Sequence, residues 1–140
     1  MRAIQASSES ARRILVVDDD DDAREVIKEV LEDVGFSVSE ANDGKQALDF
    51  LCACPEPALV VLDLDMPVMS GTELLARMKA DERLSSVPVL ILSGTERSKA
   101  PQGQPVVAFI SKPCDMNGLI QAVTAHVNRR DGVLAAAPRP

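Results

Sequence analysis

Short, unbroken apolar runs alternate with longer amphipathic stretches along most of this chain. Residues 14–17 (ILVV), 58–62 (ALVVL), 87–92 (VPVLIL) and 106–110 (VVAFI) are near-continuous runs, the pattern of strands buried on both faces. Residues 36–40 (FSVSE) alternate apolar and polar, as a half-covered strand does. Between the first two strands, Ala23, Val26, Ile27, Val30, Leu31 and Val34 recur at helical spacing. Asp22 with Glu25 three residues on predicts a capping box, and Gly35 stands where a helix stops. A second, short helix (DGKQALDFLCAC) turns Ala47, Leu48 and Leu51 inward and is ended by Pro55 and Pro57. A third (GTELLARMKAD) packs Leu74, Leu75 and Met78. The last runs over about 116–128, capped by Asp115, with Met116, Leu119, Ile120, Val123 and Val127 on one face.

Strands that alternate with helices predict an α/β fold with a parallel sheet covered on both faces. Residues 1–11 are polar and Ser-rich and read as a flexible lead-in, residues 12–130 as one domain, and 131–140 as a flexible tail.

Composition narrows the picture. With 140 residues and 46% apolar side chains the chain can bury a sizeable core. That core must be aliphatic, because the only aromatics are Phe36, Phe50 and Phe109. A net charge of −7 argues against a nucleic-acid binder and suits a protein that meets cations or basic partner surfaces. No apolar run approaches the roughly 20 residues of a membrane span. Cys52, Cys54 and Cys114 form no disulfide-like pattern, which reads as free thiols in a cytoplasmic protein. Cys52 and Cys54 are expected to pack at a helix end, since two thiols make no closed metal site.

The chemistry lies at the strand ends, where open parallel sheets bind their ligands. The first strand is followed by Asp18-Asp19, the third by Asp63, the fourth by Ser93-Gly94 and the fifth by Ser111-Lys112-Pro113. Carboxylates so close repel unless a cation intervenes. Magnesium suits a few carboxylates together with phosphate oxygens. A hydroxyl and an ammonium suit the outer oxygens of a phosphoryl group, and one carboxylate can act as nucleophile to form an aspartyl phosphate. Asp20 and Asp21 read as a solvated acidic stretch, and His126 as a solvated surface residue rather than a phosphocarrier.

The motifs ILVVDD, LDLDMPVMSG, LILSG and ISKP, in this order and spacing, resemble the response-regulator receiver domain of two-component signalling, over about residues 12–129. The resemblance implies a flavodoxin-like, five-stranded sheet of order 2-1-3-4-5. It implies that Asp63 is the phosphoacceptor. Asp19 and Asp63 would ligate Mg2+, with Asp18 in support and the backbone carbonyl of Asp65 as a further ligand. Ser93 and Lys112 would hold phosphoryl oxygens, helped by the N–H groups of Gly94 and Asp65. Pro113 would follow a cis peptide bond, and Phe109 falls at the switch-aromatic position. The implied partners are a sensor histidine kinase or phosphotransfer protein as donor, and an output protein, with no nucleic acid or membrane.

Three departures stand out. Asp65 places a second carboxylate two residues after Asp63, and Cys114 follows KP where many receivers carry an aromatic. The segment GTERSKAPQGQP is short, and its Pro101, Gly103 and Pro105 predict a shortened or irregular fourth helix. A monomer in the unphosphorylated state follows, because that helix belongs to the face many receivers use to dimerise. The chain is expected to act as a single-domain response regulator or a phosphorelay intermediate, not as a turnover enzyme. Two alternatives stand beside it. LDLD also resembles the Asp-x-Asp of haloacid-dehalogenase-type phosphatases, in which Asp65 would be a general acid, although that motif normally follows the first strand. A degenerate receiver serving only as a binding module is opposed by the intact Asp63, Ser93 and Lys112.

Overall fold

The computed structural model describes residues 13–53, 57–64, 71–94, 103, 105–112 and 115–136, with side chains of the last helix described as far as Val127. The strands are β1 (Arg13–Val17), β2 (Ser37–Ala41), β3 (Leu59–Asp63), β4 (Val89–Ser93) and β5 (Val106–Ser111). The helices are α1 (Asp21–Asp33), α2 (Gly44–Ala53), α3 (Gly71–Ala80) and α4 (Met116–Ala136), with a 3-10 turn at Leu84–Ser86. All strand pairs are parallel and the order is β2-β1-β3-β4-β5, as the resemblance implied.

Side-chain alternation along the strands divides the core into two layers. On one face Leu15, Val17, Val60, Leu62, Val89 and Ile91 pack against Ala47 and Leu51 of α2 and Leu74, Leu75 and Met78 of α3. On the other, Ile14, Val16, Leu59, Val61, Leu90 and Leu92 pack against Ile27 and Leu31 of α1 and Leu119, Val123 and Val127 of α4. The three inner strands are therefore covered on both faces, which is why they are written as unbroken aliphatic runs. At roughly 1.5–3 kcal/mol per buried aliphatic side chain, this two-layer core is the main source of stability. Phe109 on the edge strand is half-buried and packs on the α2–α3 side.

Several boundaries differ from the expected ones. The cap of α1 is Asp20, whose carboxylate accepts from the N–H groups of Asp22 and Ala23 at 3.0 and 3.2 Å. The helix thus begins at Asp21, ahead of the expected capping box, and Asp20 and Asp21 are not merely solvated: Asp21 pairs with Arg24. At the other end, Gly35 takes a left-handed φ of 103°. Its N–H donates to Glu32 O and that of Phe36 to Leu31 O, the hydrogen-bond pair of a Schellman stop. Helix α4 continues past Asn128 into the expected tail and ends at Ala136, since no proline intervenes before Pro138 and Ala135 and Ala136 are strong helix formers. Cys52 is exposed rather than packed, and His126 is half-buried. The expected irregular fourth helix, the cis bond before Pro113, and the positions of Cys54, Asp65 and Cys114 lie outside the described residues. Among the described residues no helix is long and apolar enough to cross a membrane.

Candidate functional site

The strand order reverses at β1, which has β2 on one side and β3 on the other. Open α/β sheets form a crevice at the carboxyl end of that junction. Val17 pairs with Leu62, so Asp18 and Asp63 leave the sheet side by side. Asp63 pairs with Leu92 and Ser93 with Ser111. The Lys112 N–H then donates to Ser93 O at 2.8 Å, extending that ladder beyond β5. Register alone therefore brings Asp18, Asp63, Ser93 and Lys112 to one edge.

Burial separates the carboxylates. Asp18 and Asp63 are 1% and 4% exposed, whereas Asp19 is exposed. Oxygens of Asp18, Asp19 and Asp63 all approach within 4.8 Å of one another. The Lys112 ammonium lies 3.1 Å from Asp63 Oδ2 and 3.9 Å from Asp18 Oδ2. Ser93 is fully buried at the end of β4, and Gly94 beyond it is exposed.

Asp18 is held from several directions. Its N–H donates to Ala41 O at 3.1 Å, and its carbonyl accepts from Arg24 Nη1 at 2.7 Å. Its Oδ1 accepts from the Asp20 N–H at 2.9 Å. Oδ2 is buried and has no hydrogen-bond partner among the described residues. Burial pushes the Asp18 carboxyl above the usual carboxylate range, the negative charge of Asp63 pushes the same way, and the Asp20 N–H and Lys112 oppose them only in part. A buried carboxylate oxygen without a hydrogen bond, facing two further carboxylates, is the donor set a hard divalent cation satisfies. The residues present fit Mg2+.

The end of β3 and the start of α3 are held together. The Gly71 N–H donates to Leu64 O at 3.0 Å. A Cβ at residue 71 would stand 2.7 Å from Leu64 Cα and 2.8 Å from Asp63 O, closer than real Cβ contacts allow. Glycine there lets the start of α3 sit directly on the Asp63 peptide.

Residues 14–124 match the response regulator receiver domain family. The chain belongs to that family. It is 44% identical over 82 residues to the chemotaxis protein CheY of Pseudomonas aeruginosa, an alignment covering 58% of this chain and 65% of that one. It resembles the signal receiver domain of a signal transduction histidine kinase from Syntrophus aciditrophicus with a TM-score of 0.75 at 27% identity, over 91% of this chain and 93% of that one. Response regulator TrrA of Thermotoga maritima, solved in complex with Mg(2+)-BeF, is similar with a TM-score of 0.73 at 27% identity, over 82% and 98% of the two chains. The receiver spans about half the length of several curated relatives it matches. Receiver domains are phosphoacceptor modules that bind Mg2+ through an acidic pocket, and the clustered aspartates lie where that pocket is expected.

Two residues at this site escaped the sequence reading. Asp20 caps α1 and donates its N–H to Asp18, but within five consecutive aspartates no residue type marks the cap. Arg24 reaches the Asp18 carbonyl. The available signal was its place near the start of a helix, where a cation opposes the helix dipole and needs a compensating partner.

Proposed function

We propose that this receiver accepts a phosphoryl group on Asp63 from a phosphohistidine of a sensor histidine kinase or phosphotransfer protein, in a Mg2+-dependent reaction. It then signals through a protein partner, as a single-domain switch or as a phosphorelay intermediate. The observation that carries the reading is the buried Asp63 carboxylate, 3.1 Å from the Lys112 ammonium and beside an Asp18 Oδ2 that accepts no hydrogen bond among the described residues.

In this reading an oxygen of Asp63 attacks phosphorus. The P–N bond to the donor imidazole breaks, and the imidazole nitrogen keeps the electron pair. Asp18, Asp19 and Asp63 would hold Mg2+, with the backbone carbonyl of Asp65 as the family's further ligand. When bound, the cation supplies the positive charge that lets the carboxylates stay ionised together and neutralises phosphoryl oxygens. Lys112, drawn from its pairing with Asp63 and Asp18, and the Ser93 hydroxyl receive the remaining phosphoryl oxygens. The half-buried Phe109, two residues before the strand's end at Ser111, would carry the change toward the surface. The donor is consumed once per receiver, so the protein is a switch and not a turnover enzyme. The net charge of −7 supports a protein partner over nucleic acid, and the prolines between Ser93 and β5 support a monomer before phosphorylation.

Intact-protein mass spectrometry after treatment with acetyl phosphate and MgCl2 tests the reading. One added phosphoryl group is expected, lost in Asp63→Asn and after EDTA. Equal labelling of Asp63→Asn would sink the assignment.

A further inference from the structure

Arg24 stands one turn into α1 yet is only 14% exposed, and it has three anchors on three different parts of the chain. Its Nη1 donates to the main-chain carbonyl of Asp18 at 2.7 Å. Its Nη2 pairs with Asp21 Oδ1 at 2.7 Å, and its Nε with Glu40 Oε1 on β2 at 3.1 Å. Lys28, one turn further along α1, holds the other oxygen of Glu40 at 3.5 Å. The guanidinium is planar and presents its donors in a fixed fork, so these three bonds define one geometry.

The consequence falls on Asp18. Its N–H is tied to Ala41 O at the end of β2, its Oδ1 to the Asp20 N–H, and its carbonyl to Arg24. With those atoms taken, Oδ2 is the atom left aimed at Asp63 and Lys112. Releasing the carbonyl lets the Asp18 peptide rotate, and rotation there moves the side chains of both Asp18 and Asp19.

We propose that Arg24 is a positioning residue for the metal site: it fixes the β1–α1 turn, tethered to β2 through Glu40, so that the Asp18 and Asp19 carboxylates converge with Asp63. This rests on the reading of that cluster as a Mg2+ site. A simple clamp between α1 and β2 would affect stability alone. A positioning role affects Mg2+ affinity in protein that is still folded.

Charge gives the test its sign. Arg24→Gln removes a positive charge near a dication site, and by Coulomb's law alone it should tighten Mg2+. Loss of positioning should weaken it instead, by about tenfold, as losses of groups that orient metal ligands do. Isothermal titration with MgCl2 should be run on wild type, R24Q, R24K and K45Q, alongside melts of each in EDTA. Lys45 pairs with Asp49 on the exposed face of α2 and controls for net charge. We expect R24Q to bind Mg2+ about tenfold more weakly, R24K to be weakened in the same direction although its charge is intact, and K45Q to match wild type. R24K decides alone should R24Q not fold. Mg2+ affinity of R24Q and R24K within twofold of wild type, with only the melting temperature lowered, would overturn the inference while leaving the metal site standing. No Mg2+ uptake by the wild-type protein would overturn the metal reading itself, and this inference with it.

Discussion

Asp18 carries the conflict on which the site is built. It is buried, its Oδ2 accepts no hydrogen bond among the described residues, and its neighbour Asp63 is also a carboxylate. Its carboxyl therefore holds a proton more tightly in the folded chain than in the unfolded one, where the ordinary value is 3.8. A folded state that binds the extra proton gains stability as pH falls. In the metal-free protein this gain begins as pH drops through the raised folded value and is complete below about 3.8. At neutral pH the ionised Asp18 is a cost. Asp18→Asn supplies a neutral isostere whose Nδ2 can donate toward Asp63, so it should stabilise the metal-free protein at pH 7. The gain should be roughly 1–3 kcal/mol, the usual penalty of a buried unsatisfied acceptor. The advantage should shrink on acidification and vanish below the ordinary carboxylate range. Urea melts in EDTA at a series of pH values would show it. A variant less stable than wild type at pH 7, or a difference independent of pH, would contradict this account of Asp18.

At the scale of elements, what could be read from the sequence depended on whether residue type or backbone geometry decides. The inner strands were legible because burial on both faces leaves only aliphatic side chains at 14–17, 59–62 and 89–92. The inward faces of α2 and α3 were legible for the same reason, and so was the stop at Gly35, where a left-handed φ selects glycine. The four strand ends carried the candidate site openly, because a charged or hydroxyl side chain closing an apolar run is itself the signal. Helix starts and ends without a distinctive residue were not legible. No distinctive residue stops the α4 helix at Asn128, and it runs on to Ala136, while five like aspartates hide which one caps α1. That cap can be tested. Asp20 accepts from two N–H groups, so Asp20→Ala should cost about 1 kcal/mol. Asp22→Ala, which leaves both acceptor contacts of Asp20 in place, should stay within about 0.5 kcal/mol of wild type. Equal losses in the two variants would return the cap to the capping box read from the sequence.

At the scale of the molecule, the parallel sheet gathers repulsion at one edge and leaves the core to compensate for it. The aliphatic layers tolerate this because the acidic edge is small beside the area they bury. Lys112 offsets part of the repulsion, yet it is 36% exposed on its side chain and sits nearer to Asp63 than to Asp18. A cation held by the folded chain alone should therefore raise stability by RT ln(1 + [Mg2+]/Kd), about 2.7 kcal/mol at 100 times Kd. For a chain of this size that corresponds to a rise in melting temperature on the order of 10 °C. With no Trp or Tyr in the sequence, far-ultraviolet circular dichroism is the suitable probe. General screening of a chain with net charge −7 would also raise the melting temperature, so NaCl at matched ionic strength is the necessary comparison. A specific site predicts that MgCl2 exceeds NaCl, that the excess saturates, and that Asp18→Asn and Asp19→Asn lose most of it. An equal rise in both salts, or an undiminished excess in the two variants, would mean that the gathered carboxylates are an acidic edge and not a metal site.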